Sequence, residues 1–141
     1  MADLKEFFKR DRYAALSDIE LVEVKPGYAR TTMRLAEKHL NGVNTAQGGA
    51  IFTLADLAFA AACNSHGTVA VAINVSISFL KAATKGVLTA EAKEVSKSSR
   101  LSSVTVEVRD EAGDLVSLFQ GMAFRKNDTI DEFLAKAAAG A

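Results

Sequence analysis

Between Gly49 and Cys63 the chain reads Gly-Ala-Ile-Phe-Thr-Leu-Ala-Asp-Leu-Ala-Phe-Ala-Ala-Ala-Cys, a stretch with almost no polar side. Its alanine and leucine content favours helix, and Asn64-Ser-His-Gly67 supplies stop signals behind it. A helix that is apolar all round has to be buried. Its longest uninterrupted apolar run, Leu57 to Cys63, falls far short of the roughly 20 residues that cross a bilayer. Protein must therefore supply the burial, and the rest of the chain is constrained to wrap this one segment.

The flanking sequence is suited to wrapping. Leu4, Phe7, Phe8 and Ala15 fall at loosely helical spacing among charges and predict a short amphipathic helix over about 3–16. Ile19 to Arg34 is strand-like and broken by Pro26-Gly27, the signature of a hairpin turn. His39 to Gly49 is crowded with turn formers and reads as a loop. Beyond the apolar segment, Val69, Val71, Ile73, Val75, Ile77 and Phe79 alternate with smaller or polar residues, predicting a long half-buried strand with those six on one face. Further strands are predicted at Val87 to Val95, Leu101 to Arg109 and Leu115 to Arg125, the last two joined through Asp110-Glu-Ala-Gly-Asp114. Thr129 to Ala141 reads as a C-terminal helix or a frayed tail. A hairpin, one buried helix and four strands that read as antiparallel give an α+β fold in which a single sheet wraps a central helix, the hotdog arrangement. One domain over 1–141 is expected, with a core over about 19–125 and a tail over 126–141.

Charge and cysteine content exclude several functions. Lys plus Arg equals Asp plus Glu at 17 each, whereas a nucleic-acid binder needs a basic face. Cys63 is the sole cysteine, so no disulfide framework exists, and a thiol in an apolar run reads as a core residue of a reducing compartment. The N-terminal residues mix acids with bases and lack a signal-peptide apolar stretch, so a cytoplasmic location is expected. His39, His66 and Cys63 lack metal-ligand spacing, so no metal is expected; His66 reads as part of the helix stop. Ser65 beside His66 is no triad, and neither Gly-x-Ser-x-Gly nor Gly-x-Gly-x-x-Gly occurs.

Asp56 is the one charged residue between Lys38 and Lys81, and it sits in the middle of the buried segment. A carboxylate out of water is paired, protonated or part of a site. A wet subunit interface, or hydrogen bonds from Thr53 or loop amides, would account for it structurally; a catalytic acid would account for it functionally. Gly48-Gly49 precedes the helix, where bare amides at the positive helix end could polarise a carbonyl, or where a loop simply needs glycine for its φ angles. Gly48 and Asp56 are eight positions apart, roughly 12 Å on a helix rising 1.5 Å per residue, whereas attack geometry requires about 3 Å. One helix cannot supply both to one reacting carbonyl, so a shared site requires two subunits with roughly antiparallel helices.

The segment from Leu40 to Ser65, and within it Gly-Gly-x-x-Phe-x-Leu-Ala-Asp-x-Ala-Phe, resembles the hotdog thioesterases of phenylacetic acid degradation and their hydroxybenzoyl-CoA relatives, a likeness that extends to about Phe124. The resemblance implies hydrolysis of a small, aromatic-type acyl-CoA, with coenzyme A entering only as part of the substrate and no other cofactor. It implies that Asp56 is general base or nucleophile, that the Gly48 amide polarises the thioester carbonyl, and that Asn41 places the carbonyl or the water. Gln47 and Gly49 would contact substrate. Sites across a homodimer interface, with dimers pairing into tetramers, are implied too. This chain departs from the pattern in having Gln47 and Val43 where many members carry His; the Gln47 amide can hydrogen-bond but cannot exchange a proton near neutral pH. Phosphates of coenzyme A would meet cations, for which Lys97 and Arg100 are the candidates, with Lys81 and Lys85 behind them. Rival readings are a hotdog hydratase or dehydratase, which usually carries a His paired with an acid, and a non-catalytic acyl-CoA-binding protein.

Overall fold

The computed structural model describes residues 2–140; Met1 and Ala141, the outermost residues of the expected domain and tail, lie outside them. Two short helices, α1 (Leu4–Phe8) and α2 (Arg12–Leu16), replace the single helix expected over 3–16. Asp11 causes the break: its backbone is extended and its Oδ1 accepts the Ala14 amide at 3.0 Å, capping α2. Asp3 caps α1 in the same way. A side chain that takes a backbone amide starts a new helix in preference to continuing the old one.

Strands β1 (Ile19–Lys25) and β2 (Tyr28–Arg34) form the expected hairpin, turned at Gly27 with φ 73°. A 3₁₀ turn at Glu37–His39 and a loop lead into α3 (Gly48–Asn64). Then come β3 (Thr68–Phe79), β4 (Val87–Lys97), β5 (Leu101–Arg109), β6 (Leu115–Thr129) and α4 (Ile130–Ala139). The six strands make one antiparallel sheet in the order β1-β2-β4-β5-β6-β3. The strand that follows α3 therefore crosses to the far edge and pairs with β6 alone. Beyond Arg125, residues expected in the tail continue β6 to Thr129, whose hydroxyl caps α4 by accepting the Glu132 amide.

The helix lies on one face of this sheet. Small side chains beneath it, Ala29, Ala90 and Ala92, are fully buried and let the backbones approach, while Met33, Leu88, Val106 and Phe119 fill the gaps. Thr31, also fully buried, donates its hydroxyl to the Leu54 carbonyl at 2.9 Å and ties β2 to the helix. Phe119 packs edge-on against Phe52 and tilted against Phe59, with ring centroids 5.4 and 5.5 Å apart.

The predicted single face of β3 is not observed. Ala70 and Ala72 lie opposite Arg125 and Ala123, whereas Val75, Ile77 and Phe79 lie opposite Gly121, Phe119 and Ser117, on the helix side. Ile73 is the extra residue of a bulge between them. A one-residue insertion swaps the faces of everything beyond it, so Val71 points outward with Phe124 while Val75 points in. At Gly121 an added Cβ would come within 2.6 Å of the Phe59 ring. Gly121→Ala is expected to lower stability by about 1–3 kcal/mol, as overpacking does, measurable as a reduced denaturant midpoint with an unchanged slope.

Candidate active site

Within α3 the residues that are not fully buried are Gly48, Gly49 and Ala50 at its start and then Phe52, Thr53, Asp56 and Ala60 as a stripe at helical spacing; every other residue of the helix is buried. Asp56 is half-buried in that stripe. Thr53 does not bond it, since its hydroxyl donates to the Gly49 carbonyl at 2.7 Å, and among the described residues no hydrogen bond or cation acts on its carboxyl group. The group's pKa is raised above the usual carboxylate range, first by burial and then by the negative charge of Asp11. The structural explanations through Thr53 or loop amides therefore do not hold, and a carboxylate with enhanced proton affinity remains.

The start of α3 is built by Asn41 and Gln47. The Asn41 carboxamide oxygen accepts the Val43 and Thr45 amides at 3.0 and 3.1 Å, and its NH₂ donates to the Thr45 hydroxyl at 3.0 Å. It thus folds the 41–45 loop around itself, with Val43 exposed at the tip. Gln47 is the N-cap, its side-chain oxygen accepting the Ala50 amide at 3.2 Å. Gly48 and Gly49 follow with no acceptor for either amide among the described residues. Neither has a positive φ, so the reading in which glycine is needed for its φ angles is overturned. Close approach does bear on them: a Cβ on Gly48 would meet the Phe79 ring at 3.1 Å, and one on Gly49 would displace the capping Gln47 side-chain oxygen, which lies 2.6 Å away.

One end of the helix thus presents two free amides, with Asn41 and Gln47 holding them, while Asp56 stands two turns further along. The cations lie elsewhere. Arg100, in the β4–β5 turn, donates to the Arg125 carbonyl at 3.2 Å, sits 6.0 Å from the Phe124 ring and lines a 470 Å³ cleft with Phe124, Lys126, Asn127 and Asp128. Lys97 does not line that cleft. Lys81 is engaged by Asp110 and Asp114 at 2.7 and 2.6 Å, which leaves it bound in a loop staple. Lys126 escaped the sequence reading, although its alternation with Phe124 and Met122 along β6 puts all three on one face.

Past the far end of the helix, Ser65 provides the C-cap and His66 reaches Glu94 at 2.9 Å, with Ser102 donating to the other carboxylate oxygen. Cys63 is buried, and burial pushes its thiol up to about 12, which removes it as a nucleophile near neutral pH. Among the described residues no group of three or more His, Cys, Asp or Glu could hold a metal ion, and no helix is long and apolar enough to cross a membrane.

Comparison with known proteins agrees with this layout. Residues 44–117, which include the end of the loop, α3 and strands β3, β4 and β5, match the thioesterase superfamily family model. A putative esterase of Archaeoglobus fulgidus is 45% identical over 122 residues, covering 86% of this chain and 79% of the relative. The acyl-coenzyme A thioesterase PaaI of Escherichia coli is 35% identical over 124 residues, 87% of this chain and 89% of that one. The solved structure of the E. coli PaaI protein from the phenylacetic acid degradation operon superposes with a TM-score of 0.85 at 33% identity, covering 88% of this chain and 91% of the other. An antiparallel sheet around one central helix, continuous similarity over more than four-fifths of the chain and a matching family model place it without ambiguity: this chain belongs to the thioesterase superfamily, among the hotdog-fold thioesterases of the PaaI family.

Proposed function

We propose that the protein hydrolyses a small acyl-CoA thioester at a site shared between two subunits, with Asp56 as its carboxylate and the Gly48 amide as its oxyanion donor. The observation that carries this reading is the lone Asp56 carboxylate in the open stripe of an apolar helix, without a structural partner. Asp56, as general base, takes a proton from water while the water oxygen bonds to the thioester carbon; the C–S bond then breaks and the proton passes to the leaving thiolate. Direct attack by Asp56, giving an anhydride that water resolves, is the other route open to the same geometry. Carbonyl charge developing in either route is met by helix-start amides held bare by Gln47 and Gly49. Asn41 contributes by fixing the loop and retains one amide hydrogen for substrate or water.

Two subunits are required because Gly48 and Asp56 are roughly 12 Å apart along one helix. The free edge of β3 suits such a contact: it exposes Val71, Ile73 and Phe79, and an open edge of a dozen residues invites pairing with another strand. Outward Leu101, Leu118, Met122 and Phe124 on the sheet's other face suit the pairing of dimers into tetramers. An aromatic-type acyl group follows from the resemblance and the PaaI relatives. The phosphates of coenzyme A are assigned to the Arg100 cleft, with Lys126 taking the place first given to Lys97.

Release of free thiol from a panel of acyl-CoA substrates tests the activity, since a hydratase or a binding protein would release none. Asp56→Asn is expected to lower kcat by about 10²- to 10⁴-fold, the range for lost general acid–base catalysis. Its stability should be equal or higher at neutral pH: a carboxyl group with raised pKa binds more protons folded than unfolded, so the wild type loses stability as pH rises through that window. A variant that keeps wild-type turnover would reject the role. Arg100→Ala with Lys126→Ala is expected to raise KM for acyl-CoA about tenfold, the effect of one charge-assisted hydrogen bond lost, with kcat unchanged and with no effect on acyl-pantetheine, which lacks the nucleotide.

A further inference from the structure

Phe79 ends β3 beside the start of α3. Its ring is 53% exposed, although the backbone around it is held on both sides: the Ser117 hydroxyl donates to the Ser78 carbonyl at 2.9 Å, and the Leu80 amide donates to the Val116 carbonyl at 2.9 Å. Among the described residues no other aromatic ring pairs with it. Two further residues of β3 expose large apolar side chains, but Val71 points away from α3 and Ile73 is the extra residue of the bulge. Phe79 turns toward the helix. Its outer ring atoms Cζ, Cε1 and Cε2 stand 3.1, 3.5 and 3.6 Å from the point a Cβ on Gly48 would occupy. The Gly48 nitrogen lies roughly 2.5 Å from that point by standard bond lengths and angles, so the ring reaches to within about 5.6 Å of the amide assigned above as the oxyanion donor.

An apolar strip leads on from this contact. Gly48, Phe52 and Asp56 follow one another at four-residue spacing on one side of α3. Phe79 and Ile77 share the helix side of β3, and Phe119, opposite Ile77 in the sheet, packs 5.4 Å from the Phe52 ring. Phe52 and Ile77 are only half-buried. The other flank of the helix is taken by the N-terminal arm, α1 and α2, which packs on β1 at the opposite margin of the sheet. Uncovered apolar surface at the start of α3 therefore lies on the β3 side, with Phe79 at its outer end.

We infer that Phe79 is a specificity-determining residue of the thioesterase reaction, its free ring packing on the acyl group of a thioester held at the Gly48 amide and favouring a flat aromatic group over a flexible chain. The inference rests on the role proposed for Gly48 above. A carbonyl oxygen bonded to that amide sits about 2.9 Å from its nitrogen, which brings one of the two substituents of the carbonyl carbon to the ring. The pantetheine side carries amides that lose free energy when taken from water without partners, and the side chains of Phe79, Phe52 and Ile77 offer none. An acyl group needs none, and an aromatic one adds ring-on-ring attraction.

Phe79→Leu keeps an apolar side chain and removes the ring. Its kcat/KM for phenylacetyl-CoA, followed by free-thiol release, is expected to fall about tenfold, mainly through KM, while that for octanoyl-CoA, which has as many acyl carbons, changes by less than about twofold. Ile73→Ala, at the same strand edge, should leave the ratio of the two substrates unchanged, and both variants should sediment as the wild type does. Equal losses on both substrates, or a change of subunit assembly in Phe79→Leu alone, would make the ring a contact between subunits and overturn the inference. The wild type supplies a check that needs no variant: phenylacetyl-CoA should be the better substrate of the two, and the reverse order also overturns it. Absence of thiol release from either substrate would instead remove the hydrolytic reading on which the inference rests.

Discussion

The structure depends on burying α3 against one face of a sheet while leaving a single stripe of it uncovered. Alanines on the sheet and on the helix allow close contact, and Thr31 bonds to the Leu54 carbonyl where β2 passes beneath. From this seating follow the other main features. The chain leaves the helix at Asn64 and crosses to the opposite margin of the sheet, because the near positions beside β2 are taken by β4. The arm must lie along the remaining flank, and the stripe bearing Asp56 is what neither sheet nor arm fully covers.

Electrostatics then separates satisfied charges from an unsatisfied one. Lys81 with Asp110 and Asp114, Lys38 with Asp18, and His66 with Glu94 and Ser102 are each satisfied within the fold and fasten loops or strand ends. Among the described residues Asp56 has no partner, and neither do the amides of Gly48 and Gly49. An unpaired carboxylate and unpaired donors on the same helix are costly in a protomer. In the proposed dimer, their complementarity across a symmetric contact would give both a purpose. Two turns of helix between them separate acid and oxyanion donor within one protomer, so each would serve a different thioester.

Patterning failed where a single residue decided the outcome. Val71, Ile73 and Val75 are all apolar, so hydropathy contains no trace of the bulge that sends Val71 outward and Val75 inward. Asp11 looked like one more charge in an amphipathic helix, because a cap competes with helix continuation only through a local hydrogen bond. Lys97 and Lys126 were equivalent as sequence; only the fold shows that Lys126, and not Lys97, shares a cleft with Arg100 and Phe124. The glycines before α3 were legible as unusual, yet what bears on them, the nearness of Phe79 and of the Gln47 side chain, involves a strand 30 residues away in sequence.

What the sequence determined by itself was therefore local or periodic: an apolar helix that must be wrapped, an acid within it, glycines at its start, and strands enough for one antiparallel sheet. These follow from side-chain spacing along 3.6- and 2-residue repeats and from the cost of exposing or burying each group. Only the tertiary structure decided that β3 lies at the far edge, that the helix keeps one open stripe, and that Asp11 caps a separate helix in the N-terminal arm. Such relations depend on which distant segments share space, and that is fixed when all the faces are packed together, not by any one of them alone.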